Sequence, residues 1–189
     1  MRKIKKALII FGSPHKDGKT AKVLGFLKNK IKDKFEFYTI NAYEKNVKPC
    51  IDCGKCSKIG ECIFDDLENL NYYFSLCDLV ILASPIYNNS FPAPLKSIID
   101  RTQRYYNFKK IIGYHYFKKL KKGIVILTAG SRDFKKDIIS MQIEPVLKIL
   151  NVVDISYIIL ENTDDKKLNI DKFLLKSENN IEDIFKNLI

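Results

Sequence analysis

The sequence lacks the features of a membrane or secreted protein. No stretch approaches the roughly 20 consecutive apolar residues of a membrane span, and no internal repeat or low-complexity segment is evident. The basic start, M-R-K-I-K-K-A-L-I-I-F-G, contains an apolar run that is shorter than a usual signal-peptide core and lacks a small-residue cleavage site. We therefore expect a soluble, cytoplasmic protein without a membrane partner.

Two common nucleotide-binding motifs are absent as well. The G-K-T sequence at residues 18–20 suggests a Walker A loop, but five residues separate Gly12 from Gly18, one more than the motif allows. The Rossmann pattern G-x-G-x-x-G is missing because Ser13 and Pro14 follow Gly12. No acid–base dyad or activated nucleophile stands out. A Walker-type ATPase is therefore not expected.

What the chain does contain is typical of one α/β domain over residues 1–189. The sequence is 46% hydrophobic and 12% aromatic, which is enough for a sizeable core. The net charge of +11 favours anionic partners. A basic nucleic-acid-binding module is therefore one candidate function, of a different class from an enzyme. Because the lysines are spread along the chain, we interpret most of this charge as solvated surface and expect no nucleic-acid partner.

Short apolar runs alternate with helical patterns along the chain. Residues 79–83 and 124–127 are continuously apolar, which is typical of strands covered on both faces. The predicted strands are residues 5–11, 35–40, 79–83, 123–128 and 153–159, and the predicted helices are 19–32, 66–77, 93–103, 134–150 and 170–187. This order predicts a doubly wound, five-stranded parallel sheet. A ligand is then expected at the loops that follow strands one, three and four.

The loop after the first strand, residues 12–20, leads from a buried strand to a helix N-terminus, which predicts an anion site. Ser13 and Thr20 can donate hydroxyl hydrogen bonds, and Gly18 permits a close backbone approach. Positive charge can come from His15, Lys16 or Lys19. These features fit a monophosphate, and an ordinary connection with Thr20 as a helix cap is the alternative.

The loop after the third strand reads S-P-I-Y-N-N-S-F-P from residue 84. Its prolines and asparagines predict a rigid, non-helical path, and Tyr87 and Phe91 can supply apolar walls. Such a loop suits a flat heteroaromatic ring. The alternative is a proline-stiffened entry into the next helix.

Four of the five cysteines fall in a loop at about residues 47–64, with the spacing C-x2-C-x2-C-x5-C. This density favours metal or redox chemistry over disulfides. Bacterial ferredoxins share the first two spacings, whereas a four-cysteine zinc site more usually comes as two separated pairs. The pattern favours a four-iron four-sulfur cluster on Cys50, Cys53, Cys56 and Cys62, with free thiols or a disulfide as the alternative. Cys77 is predicted to be a small core residue.

Three motifs resemble the flavodoxin-like, NADPH-dependent FMN reductase superfamily. They are G-S-P-x-x-x-G-x-T after strand one, S-P-I-Y-x-x-S after strand three, and P-L-K-x-x-I-D-R in the next helix. The cysteine run P-C-I-D-C-G-K-C-S-K-I-G-E-C, with Asp65 and Asp66 just after it, resembles the iron–sulfur flavoprotein branch. The resemblance covers about the first 130 residues.

The resemblance implies a flavodoxin-like three-layer sandwich with strand order 2-1-3-4-5 that binds FMN. The phosphate would lie beside Gly18, on Ser13, His15, Lys19 and Thr20. The isoalloxazine ring would lie on Pro85, Ile86, Tyr87, Asn88 and Ser90, with the turn Thr128-Ala129-Gly130 on its far side. The family usually has Arg where this chain has His15, and Asn where it has Lys19.

The function that the resemblance implies is that of an FMN-containing oxidoreductase that moves electrons, with a four-iron four-sulfur cluster beside the flavin. A cluster-less NAD(P)H-dependent FMN or quinone reductase is the alternative. The implied partners are ferredoxin, NAD(P)H or a quinone, and the implied assembly is a homodimer or homotetramer.

A basic and aromatic segment at about residues 103–122 combines the features of a nucleic-acid groove. In a flavodoxin-like frame we interpret it as a lid or subunit contact, with Tyr105, Tyr106 or Tyr114 near the ring. His115 is expected to be structural, and Asp100 and Arg101 are expected to form an ion pair.

Overall fold

The computed structural model describes residues 4–177, 181, 183 and 184. Its centre is one parallel sheet with the order β2-β1-β3-β4-β5. The strands are β1 (Lys5–Phe11), β2 (Phe35–Asn41), β3 (Leu79–Pro85), β4 (Lys121–Thr128) and β5 (Val152–Leu160). The predicted flavodoxin-like strand order is therefore confirmed.

The described residues form eight helices. They are α1 (Lys19–Ile31), α2 (Ala42–Lys45), α3 (Lys55–Ile59), α4 (Glu68–Leu76), α5 (Ala93–Arg101), α6 (Gln103–Ile112), α7 (Lys136–Ile149) and α8 (Ile170–Lys176). The short helices α2 and α3 and the longer α6 are not predicted from the sequence. The last predicted helix extends to residue 187, and of its final ten positions only 181, 183 and 184 are described.

The continuous apolar strands are explained by two cores, one on each face of the sheet. Ala7, Ile9 and Phe11 of β1 pack with residues of α1 and α8. Leu8 and Ile10 point to the other face and pack with residues of α4, α5 and α7. Successive side chains alternate between the faces of a strand, so a strand buried on both sides must be apolar at every position.

The loops at the carboxyl edge of the sheet continue its hydrogen bonding. The Gly12 N–H donates to the carbonyl of Ala83 (2.8 Å) and the Ile86 N–H to the carbonyl of Thr128 (2.9 Å). At Gly12, helix α5 comes very close, because a Cβ atom there would lie 2.5 Å from Cδ2 of Leu95. Glycine at this position therefore allows α5 to pack against the end of β1.

The basic and aromatic segment begins with a helix. Its first part is α6, which ends at Gly113 with a φ of 88°, a conformation that glycine adopts readily. Tyr105 is 1% exposed and its ring packs 4.9 Å from that of Phe117. Tyr105 therefore belongs to the core, and of the three tyrosines expected near the ring only Tyr106 and Tyr114 are exposed.

Among the residues that the structure describes, no helix combines the length and apolar character needed to cross a bilayer.

The close approach at Gly12 generates a stability prediction. Gly12→Ala should lower the free energy of unfolding by about 1–3 kcal/mol, because the new methyl group overpacks against Leu95. Gly25→Ala in α1 is the matched control, since a Cβ atom there meets nothing within 4 Å, and it should stabilise by up to about 1 kcal/mol. Urea unfolding of both variants measures the difference, and equal midpoints would contradict the packing argument.

Candidate functional site

The first loop presents hydroxyl groups at the start of α1. Gly18 is the N-cap, and none of the described side chains caps the helix. The side chains of Ser13 and Thr20 are buried at this end, and the Ser13 hydroxyl accepts a hydrogen bond from the His15 N–H (3.3 Å). Uncapped N–H groups and the positive end of the helix dipole favour an anion here.

A pair of hydroxyls connects the first loop to the end of β4. The Oγ1 atoms of Thr20 and Thr128 lie 2.7 Å apart in a buried hydrogen bond. Thr128 is predicted from the sequence only as part of a turn near the ring. The structure brings its hydroxyl to Thr20 in the first turn of α1.

The basic side chains of the first loop do not converge with the hydroxyls. Lys19 donates to the carbonyl of Thr163, and Lys16 pairs with Glu44. The hydrogen bond and charge of Lys16 lower the pKa of Glu44. His15 is exposed. The backbone of His15 joins Ser13 to Gly18, because its N–H donates to the Ser13 hydroxyl and its carbonyl accepts from the Gly18 N–H (3.4 Å). Thr20 is buried in the first turn of α1, whereas the Lys19 ammonium is bonded to Thr163.

The second of the three loops, which follows β3, folds into a tight turn. Tyr87 and Ser90 exchange two backbone hydrogen bonds (3.0 and 2.9 Å), and between them Asn88 and Asn89 have φ values of 51° and 53°. Positive φ at both central residues defines a type I′ turn, in which asparagine is favoured. The Asn89 side-chain oxygen accepts from the Lys135 N–H (3.2 Å), so the turn is attached to the start of α7.

The loops after β3 and β4 line a common open cavity of about 300 Å³. Its lining includes the predicted residues Ile86, Asn88, Ala129 and Gly130. Pro85 and Ser90 are half-buried beside it, whereas Tyr87 is 45% exposed. Residues that the sequence analysis missed also line it, namely Asn89, Ser131, Asp133 and Phe134.

The loop after β5 is a second feature that the sequence analysis missed. The Thr163 N–H donates to the carbonyl of Ala129 (2.9 Å). A Cβ atom at Gly130 would lie 2.4 Å from the Asp164 carboxylate. The only sequence signal for this loop is its place after a strand of the sheet, because its neighbours in space are far away in sequence.

The cysteine loop carries four thiols that have the chemistry of a cluster-binding set. Cys50 and Cys53 are exposed, Cys56 and Cys62 are half-buried, and all are free thiols. The loop bends at Gly54 and Gly60, whose φ values are 72° and 73°. Within the described part of the chain, no three metal-ligating side chains are gathered around a common point. The donor set fits a cluster by number and type, and the loop would have to draw its thiols together.

Arg101 closes the base of the cysteine loop. Its guanidinium donates to the carbonyls of Lys48 (2.9 Å) and Phe64 (3.2 Å) and to a carboxylate oxygen of Asp66 (2.7 Å). Burial alone would raise the pKa of Asp66, but hydrogen bonds from Arg101 and from the Lys48 N–H lower it. The predicted pairing of Arg101 with Asp100 is wrong, because Asp100 pairs with Lys96.

Helix α6 forms a wall for the cysteine loop. The Asn107 side-chain amide donates to the sulfur of Cys56, with 3.1 Å between Nδ2 and Sγ. Gly60 lies against the ring of Phe108, since a Cβ atom there would be 2.9 Å from its Cδ2. The buried Arg104 also points inward, over the rings of Tyr105 and Tyr116. Its guanidinium is therefore packed against aromatic rings and contributes little to the exposed charge of this segment.

Two residues outside the site, Cys77 and His115, have the structural roles predicted from the sequence. Cys77 is 1% exposed, and burial raises the pKa of its thiol to about 11. His115 is bonded through its ring nitrogens to Lys109 (2.9 Å) and to the carbonyl of Ile149 (3.3 Å).

Known proteins resemble this chain in sequence and in fold. An iron–sulfur flavoprotein of Archaeoglobus fulgidus is 32% identical over 80% of this chain and 66% of its own length. One from Methanosarcina thermophila is 33% identical over 49% of this chain and 50% of its own. Each alignment thus spans less than two thirds of the relative's length.

A solved NAD(P)H:quinone oxidoreductase from Methanothermobacter marburgensis superposes with a TM-score of 0.74 at 16% identity, covering 96% of this chain and 98% of that chain. At this identity the similarity establishes the shared fold. The family described as NADPH-dependent FMN reductase matches residues 5–163. This match confirms the resemblance inferred from the three sequence motifs, and the chain belongs to the NADPH-dependent FMN reductase family.

Proposed function

We propose that the carboxyl edge of the sheet binds FMN and that the protein is a flavin-dependent oxidoreductase. The observation that carries this proposal is the buried Thr20–Thr128 hydroxyl pair beside an uncapped helix N-terminus. The cavity of about 300 Å³ formed by the next two loops supports a ring site at the same edge. An anion site and a ring site side by side match the two ends of a flavin mononucleotide.

Each part of the site has a defined task in this proposal. The Ser13 and Thr20 hydroxyls and the first N–H groups of α1 hold the phosphate. Ile86, Asn88 and Gly130 position the ring and exclude water from one side. The bound FMN supplies electron transfer in one- or two-electron steps, while the chain supplies position and hydrogen bonds.

The finer part of the proposal concerns the cysteine loop. Cys50, Cys53, Cys56 and Cys62 are proposed to bind a four-iron four-sulfur cluster, supported by their spacing and by relatives that are named iron–sulfur flavoproteins. A cluster-less NAD(P)H-dependent FMN or quinone reductase is the second candidate, favoured by the separation of the thiols. NAD(P)H, a quinone or ferredoxin as redox partner, and a homodimer or homotetramer, remain predictions.

Anaerobic purification of the full chain distinguishes these candidates. FMN released on denaturation, together with a broad absorbance shoulder near ~420 nm and bound iron, is expected for the flavin–cluster protein. Flavin without iron would favour the cluster-less reductase. Protein that neither retains nor rebinds FMN would contradict the proposal as a whole.

The hydroxyl pair generates a binding prediction. Thr20→Val preserves the shape of the side chain but removes its hydroxyl, so the Kd for FMN should rise roughly 10- to 100-fold, as expected for a hydrogen bond to a charged group. Thr39→Val on β2 is the matched control because Thr39 is exposed, and its Kd should stay unchanged. Fluorescence titration of the apoprotein with FMN measures both. An unchanged Kd in folded Thr20→Val would argue against a phosphate at this position.

The buried guanidinium generates a second prediction. Arg101→Met should lower the free energy of unfolding by about 2–3 kcal/mol, below the usual cost of breaking a buried pair because Asp66 keeps some solvent contact. It should also reduce the iron content per FMN, since both ends of the cysteine loop lose their anchor. Lys96→Met removes an exposed pair on the same helix and should cost less than about 1 kcal/mol.

Urea unfolding and iron analysis of anaerobically purified protein measure these effects. A full complement of iron in Arg101→Met would show that the loop does not need this anchor.

A further inference from the structure

We propose that Asn107 is a positioning residue for the cysteine centre, and that its side-chain amide raises the reduction potential of the cluster by donating a hydrogen bond to the Cys56 sulfur. This inference rests on the proposed function, because it assumes that the four loop cysteines bind a cluster. Asn107 lies on α6, a helix that neither the sequence motifs nor the proposed flavin site involves.

The contact is made between two packed helices. Nδ2 of Asn107 lies 3.1 Å from Sγ of Cys56, and both residues are half-buried. Cys56 is in α3, which ends at Gly60 against the Phe108 ring of α6. Because Phe108 directly follows Asn107, the same close approach that packs the two helices also brings the amide to the sulfur.

A second donor faces the loop from α5. The Nε atom of Arg101 is buried and has no hydrogen-bond partner among the described residues. Asn107 thus contacts one cysteine sulfur from α6, while Arg101 holds the base of the same loop from α5.

The expected direction of the effect follows from charge. A cluster held by four thiolates becomes more negative when it accepts an electron, and hydrogen bonds to its sulfurs stabilise the more negative state. Asn107 gains or loses no proton in this step. Loss of its N–H donor should therefore make the cluster harder to reduce, without changing the number of electrons that it accepts.

The test is a potentiometric titration of anaerobically purified holoprotein, followed by electron paramagnetic resonance. Sodium dithionite, which is oxidised to sulfite, supplies one electron to each cluster. Asn107→Leu should lower the ratio of reduced to oxidised cluster about tenfold at a fixed potential, which corresponds to a shift of about −59 mV for a one-electron couple. The FMN potential in the same sample should stay unchanged.

Gln103→Leu is the matched control, because Gln103 is an exposed amide on the same helix, and the cluster potential of this variant should equal that of the wild type. Asn107→Asp keeps the shape of the side chain if the leucine variant folds poorly. It also removes the donor and should lower the cluster potential at least as far, whereas Gln103→Glu adds the same charge farther from Cys56 and should have a smaller effect.

Two outcomes would overturn the proposal, and they are distinguishable. A cluster with wild-type potential in Asn107→Leu and Asn107→Asp would show that the hydrogen bond has no influence, while the proposed flavin–cluster protein would stand. Wild-type protein that binds FMN but takes up no iron, even after anaerobic reconstitution, would remove the cluster from the proposed function and this inference with it.

Discussion

The organisation of the cysteine loop depends on one buried guanidinium. A charge taken out of water is costly unless it is paired and hydrogen-bonded, and Arg101 meets this requirement only when Lys48, Phe64 and Asp66 come together around it. These partners flank the cysteines on both sides. The loop is therefore closed at its base, while the thiols of Cys50 and Cys53 remain exposed.

Helix α5 connects the cysteine loop to the proposed FMN site at the carboxyl edge of the sheet. Leu95 near its start packs against Gly12 and limits the position of the first loop. Arg101 at its end holds the cysteine loop, six residues or about 9 Å farther along the axis. Because both anchors belong to one helix, the first loop and the cysteine loop have a defined relative position. Helix α6 extends this contact surface as far as Cys56.

Local patterns explain why the sheet could be predicted and why some contacts could not. Strand β1 has the predicted bounds, because burial on both faces demands an uninterrupted apolar run. Helix α6 was missed, since its buried face includes Arg104 and Tyr105, which resemble surface residues in the sequence. Adjacent residues of a helix do not face each other, which prevents Arg101 from pairing with Asp100. Arg101 forms its ion pair with Asp66 instead.

The sequence by itself determined the sheet, the three loops at its carboxyl edge, the candidate hydroxyls and the four clustered thiols. These features follow from periodicity, turn residues and spacing, which act between neighbours along the chain. Only the tertiary structure decided that Lys19 binds Thr163, that Thr128 joins Thr20, and that Asn107 reaches Cys56. Those partners are between 51 and 144 positions apart, and the order of the strands and the packing of the helices bring them together.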